Sequence, residues 1–251
     1  MSKIKKLVKK KLLYFGYKIA GNLQEKKFAK KIAALKDGDY RISDKIPYVC
    51  QFASPQMVEK FVENDDNLRD DPNWRGSGAE SLYDYVFWVP KLCGMACFSM
   101  ILKATGIQPP PIVELGKRAF KAGCYRENPE NPKRLIGLLH YQFLKFAESF
   151  GFSGKLLWFI GIHTIASEIL KNNFVIASVS NQIRYRGVNH VDKNGHLVVV
   201  LGFKIDFGRI SGFYINDPAG FYNDTQENYF VRAEDFINCF SGRIIVLKST
   251  K

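Results

Sequence analysis

Between residues 3 and 20 apolar side chains return every three or four positions, at Ile4, Leu7, Val8, Leu12, Phe15 and Ile19, and lysines fill most of the places between them. That period predicts a basic amphipathic helix. A turn-like Lys36-Asp37-Gly38-Asp39 ends the arm, and Ile46-Pro47-Tyr48-Val49-Cys50-Gln51-Phe52 then reads as a short extended segment, because Pro47 excludes helix at its start. From about residue 63 to 85 the pattern turns polar and acidic, with Asp65, Asp66, Asp70, Asp71 and Pro72, and predicts a surface insertion.

After Pro90 the helical period returns. Cys93, Cys97, Met100, Ile101 and Ala104 fall at i, i+4, i+7, i+8 and i+11, and Gly106 with Pro109, Pro110 and Pro111 stops the helix, so Cys93 lies in its first turn. Further helical patterns run over Ile112 to Ala122, Arg134 to Phe150 and Thr164 to Asn172. Beyond Asn173 the period changes. Phe174 to Ser180, His196 to Phe203, Ser211 to Asn216 and Arg243 to Lys248 are β-branched or aromatic runs bounded by Gly, Asn, Asp and Pro, which predicts strands. Helices first and sheet second imply an α+β fold. The organisation expected is an arm over residues 1–40 and one domain over 41–251 that carries the acidic insertion.

Composition supports a large core, since 46% of the 251 residues are hydrophobic and 14% aromatic. No run of eighteen apolar residues occurs, so no helix is expected to span a bilayer. The net charge of +13 changes the picture only once it is located. Residues 1–36 hold twelve lysines and one acid, Glu25, so the remaining chain stands at only +2. Attraction to polyanions therefore belongs to the arm, and nucleic acid is not an expected partner of the main domain. The arm suits either an anionic membrane surface or an acidic partner, or else packs its apolar stripe on the domain. Five cysteines, an odd count, point to a reducing compartment, and no convincing cleavage site follows the short apolar stretch Leu12 to Ala20. The expected location is the cytoplasm, with a peripheral seat at the membrane if the arm anchors there.

Chemistry enters with Cys93. Unpaired backbone N–H groups and the positive end of the helix dipole stabilise a thiolate there, although most free cysteines are merely small buried hydrophobes. A nucleophilic thiol needs a base, commonly an imidazole oriented by a third polar group. Of the four histidines, His140 sits in an apolar helical stripe and His163 in a loop before a helix, so both read as structural. His190 and His196 flank a turn, and His196 opens the run Leu197-Val198-Val199-Val200-Leu201. Asp217 ends the following strand, where adjacent antiparallel strands can bring it beside His196.

These blocks, Cys93-Gly94-Met95-Ala96-Cys97, Gly195-His196-Leu197-Val198-Val199-Val200-Leu201-Gly202-Phe203 and Tyr214-Ile215-Asn216-Asp217-Pro218, together resemble the C39-like peptidases. Those are papain-type cysteine peptidases related to the domain that cleaves double-glycine leader peptides from exported bacteriocins. The resemblance spans roughly residues 46 to 248. It implies a papain-like fold with the nucleophile helix packed on an antiparallel sheet, Cys93 as nucleophile, His196 as base and Asp217 as its orienting carboxylate. It also implies Gln51, in the opening extended segment, as the oxyanion-hole amide beside the backbone N–H of Cys93. Met95 replaces the proline usual in the family. No cofactor is implied, and the expected substrate is a peptide or protein.

The same triad serves acyl transfer to amines, and a non-catalytic peptide-binding module can share the fold, so both stand as alternatives. Zinc held by Cys93, Cys97 and a histidine lacks a second close Cys or His pair. Neither Gly-x-Gly-x-x-Gly nor a Walker-type stretch occurs, which argues against nucleotide chemistry.

Overall fold

The computed structural model describes the backbone of residues 3–187, 193 and 195–250. The arm forms α1 (Lys3–Ile32) and passes through β1 (Gly38–Arg41) to an irregular stretch that carries Gln51. Three short helices follow in α2 (Val58–Glu63), α3 (Leu82–Trp88) and α4 (Cys93–Ala104). After them come α5 (Ile112–Lys121), the hairpin β2 (Arg126–Asn128) and β3 (Asn131–Ile136), α6 (His140–Glu148), β4 (Phe152–Trp158) and α7 (Ile162–Ile169). The chain finishes with β5 (Phe174–Ser180), β6 (Gly195–Asp206), β7 (Arg209–Asn216), β8 (Tyr229–Arg232), α8 (Ala233–Cys239) and β9 (Phe240–Ser249).

One antiparallel sheet organises the molecule, in the order β4-β9-β5-β6-β7-β8. On β6, Leu197, Val199 and Leu201 face the core that holds α4, while Val198 and Val200 face the core that holds α7 and α8. Burial on both faces explains why β6 reads as an unbroken apolar run. A bulge at Leu201 and Gly202 shifts the register, so Phe203 and Ile205 join Val198 and Val200 on one face. There β1 lies against β6, with Arg41 opposite Gly202. A Cβ on Gly202 would come within 2.5 Å of the Tyr40 carbonyl, so only glycine admits the strand.

Two sequence expectations fail for physical reasons. The helix expected from Arg134 begins only at His140, because Asn131–Ile136 instead pairs with Arg126–Asn128. The acidic stretch from 63 to 85 is not a loop thrown out from the surface. Leu68, Asp71, Ser77 and Tyr85 are buried, and the Asp71 carboxylate accepts hydrogen bonds from the Ser54 hydroxyl at 2.6 Å, the Ser54 N–H, the Asn73 N–H and the Tyr85 hydroxyl. A buried carboxylate so fully bonded ties the segment into the core. The stretch Ile46 to Phe52 carries no strand ladder, although the Gln51 N–H donates to the Pro218 carbonyl at 2.8 Å.

The second half of α1 packs on the domain. Gly21 sits where a Cβ would lie 2.4 Å from the Phe159 carbonyl, and Ile32 is buried in the core beneath α7. Both Glu25 oxygens accept from the start of α7, from the N–H groups of Gly161, His163 and Thr164, the Thr164 hydroxyl and the His163 ring. Among the described residues no single helix is long and apolar enough to cross a membrane.

Candidate active site

Three elements converge on one cleft. Cys93 opens α4, whose preceding residue Leu92 offers no side-chain cap, so the N–H groups of the first turn stay available to a charge at the helix start. The next residue lets the helix approach the sheet. A Cβ on Gly94 would stand 2.7 Å from Leu138 Cδ2 and 3.0 Å from Leu197 Cδ1. One turn on, the Cys97 thiol donates to the Leu197 carbonyl at 3.3 Å, so α4 is fixed on the strand that begins at His196.

His196 stands at the second position of β6 and Asp217 directly after β7, at one end of two paired strands. The imidazole Nε2 lies 2.6 Å from Asp217 Oδ1, and both side chains are buried. That bond leaves Nδ1 for the hydrogen bond between the ring and Cys93. Asp217 is itself held in place. Its Oδ1 accepts from the Ala219 N–H at 2.9 Å, its N–H donates to the Gln226 carbonyl at 2.8 Å, and its carbonyl accepts from the Tyr48 hydroxyl at 3.2 Å.

The electrostatics favour separated charges. Burial would raise the Cys93 thiol, yet the hydrogen bond and charge of His196, with the N–H groups of Leu197 and Gly94, bring it below its ordinary value. Burial would lower His196, yet the Asp217 carboxylate and Cys93 raise it to about 9. Asp217, which burial would raise, is held below the usual carboxylate range by His196, by the charge of Arg184 and by the Ala219 N–H. The other four thiols move the opposite way. Burial pushes Cys50 and Cys239 up to about 12 and Cys124 up to about 11, and it raises Cys97 as well. Thiolate character therefore concentrates at Cys93.

Gln51 lines the same cleft as Cys93 and His196 and is only 4% exposed. Its Nε2 donates to the Val89 carbonyl at 2.8 Å, which fixes the amide four residues ahead of Cys93 and leaves one N–H to spare. The Ala53 N–H donates to the Tyr85 hydroxyl at 3.0 Å, so the long intervening segment returns the chain without displacing Gln51.

Of the other histidines, His163 bonds Glu25 away from the cleft, and His190 lies outside the described residues. His140 does line the cleft, and burial with the charge of Arg243 lowers it to about 4. Sequence reasoning set His140 aside as structural because of its apolar helical stripe, and passed over Tyr48 and Arg184 because nothing in their local pattern marks the site. Among the described residues no cluster of three or more His, Cys, Asp or Glu side chains could hold a metal ion.

The cleft encloses about 680 Å³. A family model described as the Peptidase_C39 like family matches residues 80–243, about two thirds of the chain. No curated protein matches it. Among solved structures, similarity extends to a double glycine motif protease from an AMS/PCAT transporter, in complex with the leader peptide. That protein is 22% identical, the match covers 63% of this chain and 84% of that one, and the TM-score is 0.37. A protein from Bacillus anthracis described as a C39-like peptidase is 14% identical over 85% of this chain and 98% of that one, with a TM-score of 0.49.

Proposed function

The chain belongs to the Peptidase_C39 like family, and from that premise we propose that it is a cysteine peptidase in which Cys93, His196 and Asp217 act as a catalytic triad. The observation that carries this reading is the chain of contacts from Asp217 through His196 to Cys93, the one thiol among the five whose pKa is lowered. In the cycle, the Cys93 thiolate attacks the peptide carbonyl. The resulting oxyanion takes hydrogen bonds from the free Gln51 N–H and the Cys93 backbone N–H. His196, protonated at that stage, gives its proton to the departing amine as the C–N bond breaks, and a thioester remains on Cys93. Neutral His196 then takes a proton from water, whose oxygen attacks the thioester and releases the acid. Asp217 holds the ring in one orientation and stabilises its cationic form throughout.

Acyl transfer to an amine passes through the same thioester and differs only in the second nucleophile. Incubation with a random-sequence peptide library, with product masses read in the presence and absence of a primary amine, tests the proposal. Free carboxylate products without added amine, absent for Cys93→Ala, are expected. Products that form only by amine incorporation would make the protein an acyltransferase, and peptides retained without turnover would make it a binding module.

A further inference from the structure

The cleft wall continues past the imidazole. β5 pairs with β6 so that Val179 lies opposite His196 and Ser180 opposite Gly195. The single 3-10 turn Asn181–Arg184 therefore starts abreast of the histidine and extends the same wall. The Asn181 amide stands 3.6 Å from the position of a Cβ on Gly195, which fixes the turn against the start of β6. Asn181, Gln182, Arg184 and Tyr185 all face the cleft.

Arg184 is out of keeping with its surroundings. It is only 5% exposed, and among the described residues nothing accepts a hydrogen bond from its Nε. No hydrogen bond or ion pair of its guanidinium is present among the described residues. Its neighbour Gln182 likewise buries an Oε1 with no donor. The Arg184 charge acts on Asp217, but a buried Nε without an acceptor still carries a desolvation cost, which a hydrogen-bonded anion in the cleft offsets. Among the described residues that line the cleft, the other charged side chains are Lys91, Arg243 and Asp65, so positive charge predominates on its walls.

The chemistry of the triad orients the ligand. His196 delivers its proton to the leaving amine, so the wall that carries His196 faces the part of the substrate C-terminal to the scissile bond. We propose that Arg184 and Gln182 form a subsite for a carboxylate side chain on that part of the substrate, which makes the preferred substrates peptides with Asp or Glu shortly after the cut. Arg184 supplies paired N–H donors to the two carboxylate oxygens, and Gln182 Oε1 accepts a backbone N–H of the same segment. This inference rests on the peptidase reading and adds the substrate class to it.

Two measurements on the full chain test it. Cleavage sites in a random-sequence peptide library, read by mass spectrometry, should be enriched in Asp and Glu after the cut. For matched glutamate and glutamine peptides built on the best site, kcat/KM should favour glutamate by on the order of tenfold, chiefly through KM. Arg184→Gln should bring that ratio to about one by costing the glutamate peptide far more than the glutamine peptide, and Arg184→Lys should restore part of it. No acidic preference in the natural protein would overturn the subsite. Equal loss of both peptides would overturn it too, because Arg184 would then act only through Asp217. If nothing in the library is cleaved, the peptidase reading fails by itself. Binding of the library to Cys93→Ala protein, with or without Arg184→Gln, still reads the subsite through retention of acidic over neutral peptides.

Discussion

Burial alone would strip the proton from His196 and deny a negative charge to Cys93, and at both residues a neighbour reverses the effect. The Asp217 carboxylate, 2.6 Å from the ring, holds the imidazolium to about 9, and the imidazolium in turn lowers the thiol. If the thiolate–imidazolium pair is the reactive form, kcat/KM should rise as Cys93 ionises below the ordinary thiol value of 9 and fall as His196 deprotonates near about 9. Asp217→Asn should draw the alkaline limb down toward the ordinary histidine value of 6.5. His196→Ala should reduce turnover by ~10²–10⁴. The same shift links to folding. A histidine whose folded pKa is raised contributes stability that is fully present below its unfolded value and lost as pH rises through about 9. An alkaline limb that stays put in Asp217→Asn would remove Asp217 from the mechanism.

The elements differ in how far their residues foretold them. α4, β5 and β7 coincide with the expected segments at one end or both, because a helical stripe closed by Gly106 and short β-branched runs between turn residues leave little choice of period. β1, β2 and β8 are only three or four residues long, too short for a period to show, and β1 owes its ladder to β6, a partner distant in sequence that a local pattern does not contain. The arm illustrates the same limit. Its lysines were equally compatible with a membrane surface and with packing on the domain. What decides the second half of α1 is one acid, Glu25, reaching the open N–H groups at the start of α7. Burial would raise the Glu25 carboxyl, but the hydrogen bonds of His163 and Thr164 hold it below its usual value. Its contribution is therefore present above the ordinary value of 4.5 and lost as pH falls through the lower folded value. Glu25→Ala should cost about 1–3 kcal/mol at neutral pH, seen as a fall in Tm of several degrees, and the difference from the natural protein should shrink on acidification. An unchanged Tm would mean that α1 is not held by this contact.

Across the whole molecule the sheet does the positioning. Its β6 and β7 ends present His196 and Asp217 side by side, one face seats α4 so that Cys93 meets the imidazole, and the buried Asp71 network returns Gln51 to the same cleft. In the sequence a helix start, a strand start and a strand end marked Cys93, His196 and Asp217 as candidates, because each constrains where a side chain can stand. Gln51 came only from the resemblance to the C39-like peptidases. The cleft wall was not legible. Whether Arg184 faces solvent or lies buried beside Asp217 depends on strand pairing and on the turn after β5, neither of which is written in neighbouring residues. The central claim is that helix start and imidazole, against the opposing effect of burial, together make Cys93 a thiolate nucleophile. Its most direct test is the alkylation rate of each of the five cysteines as a function of pH, resolved by peptide mass spectrometry, in the natural protein and in His196→Ala. Cys93 should react fastest, on a plateau already established below the ordinary thiol value of 9, and should lose that plateau with His196. A Cys93 that titrates like a free thiol and reacts at the same rate without His196 would contradict the claim.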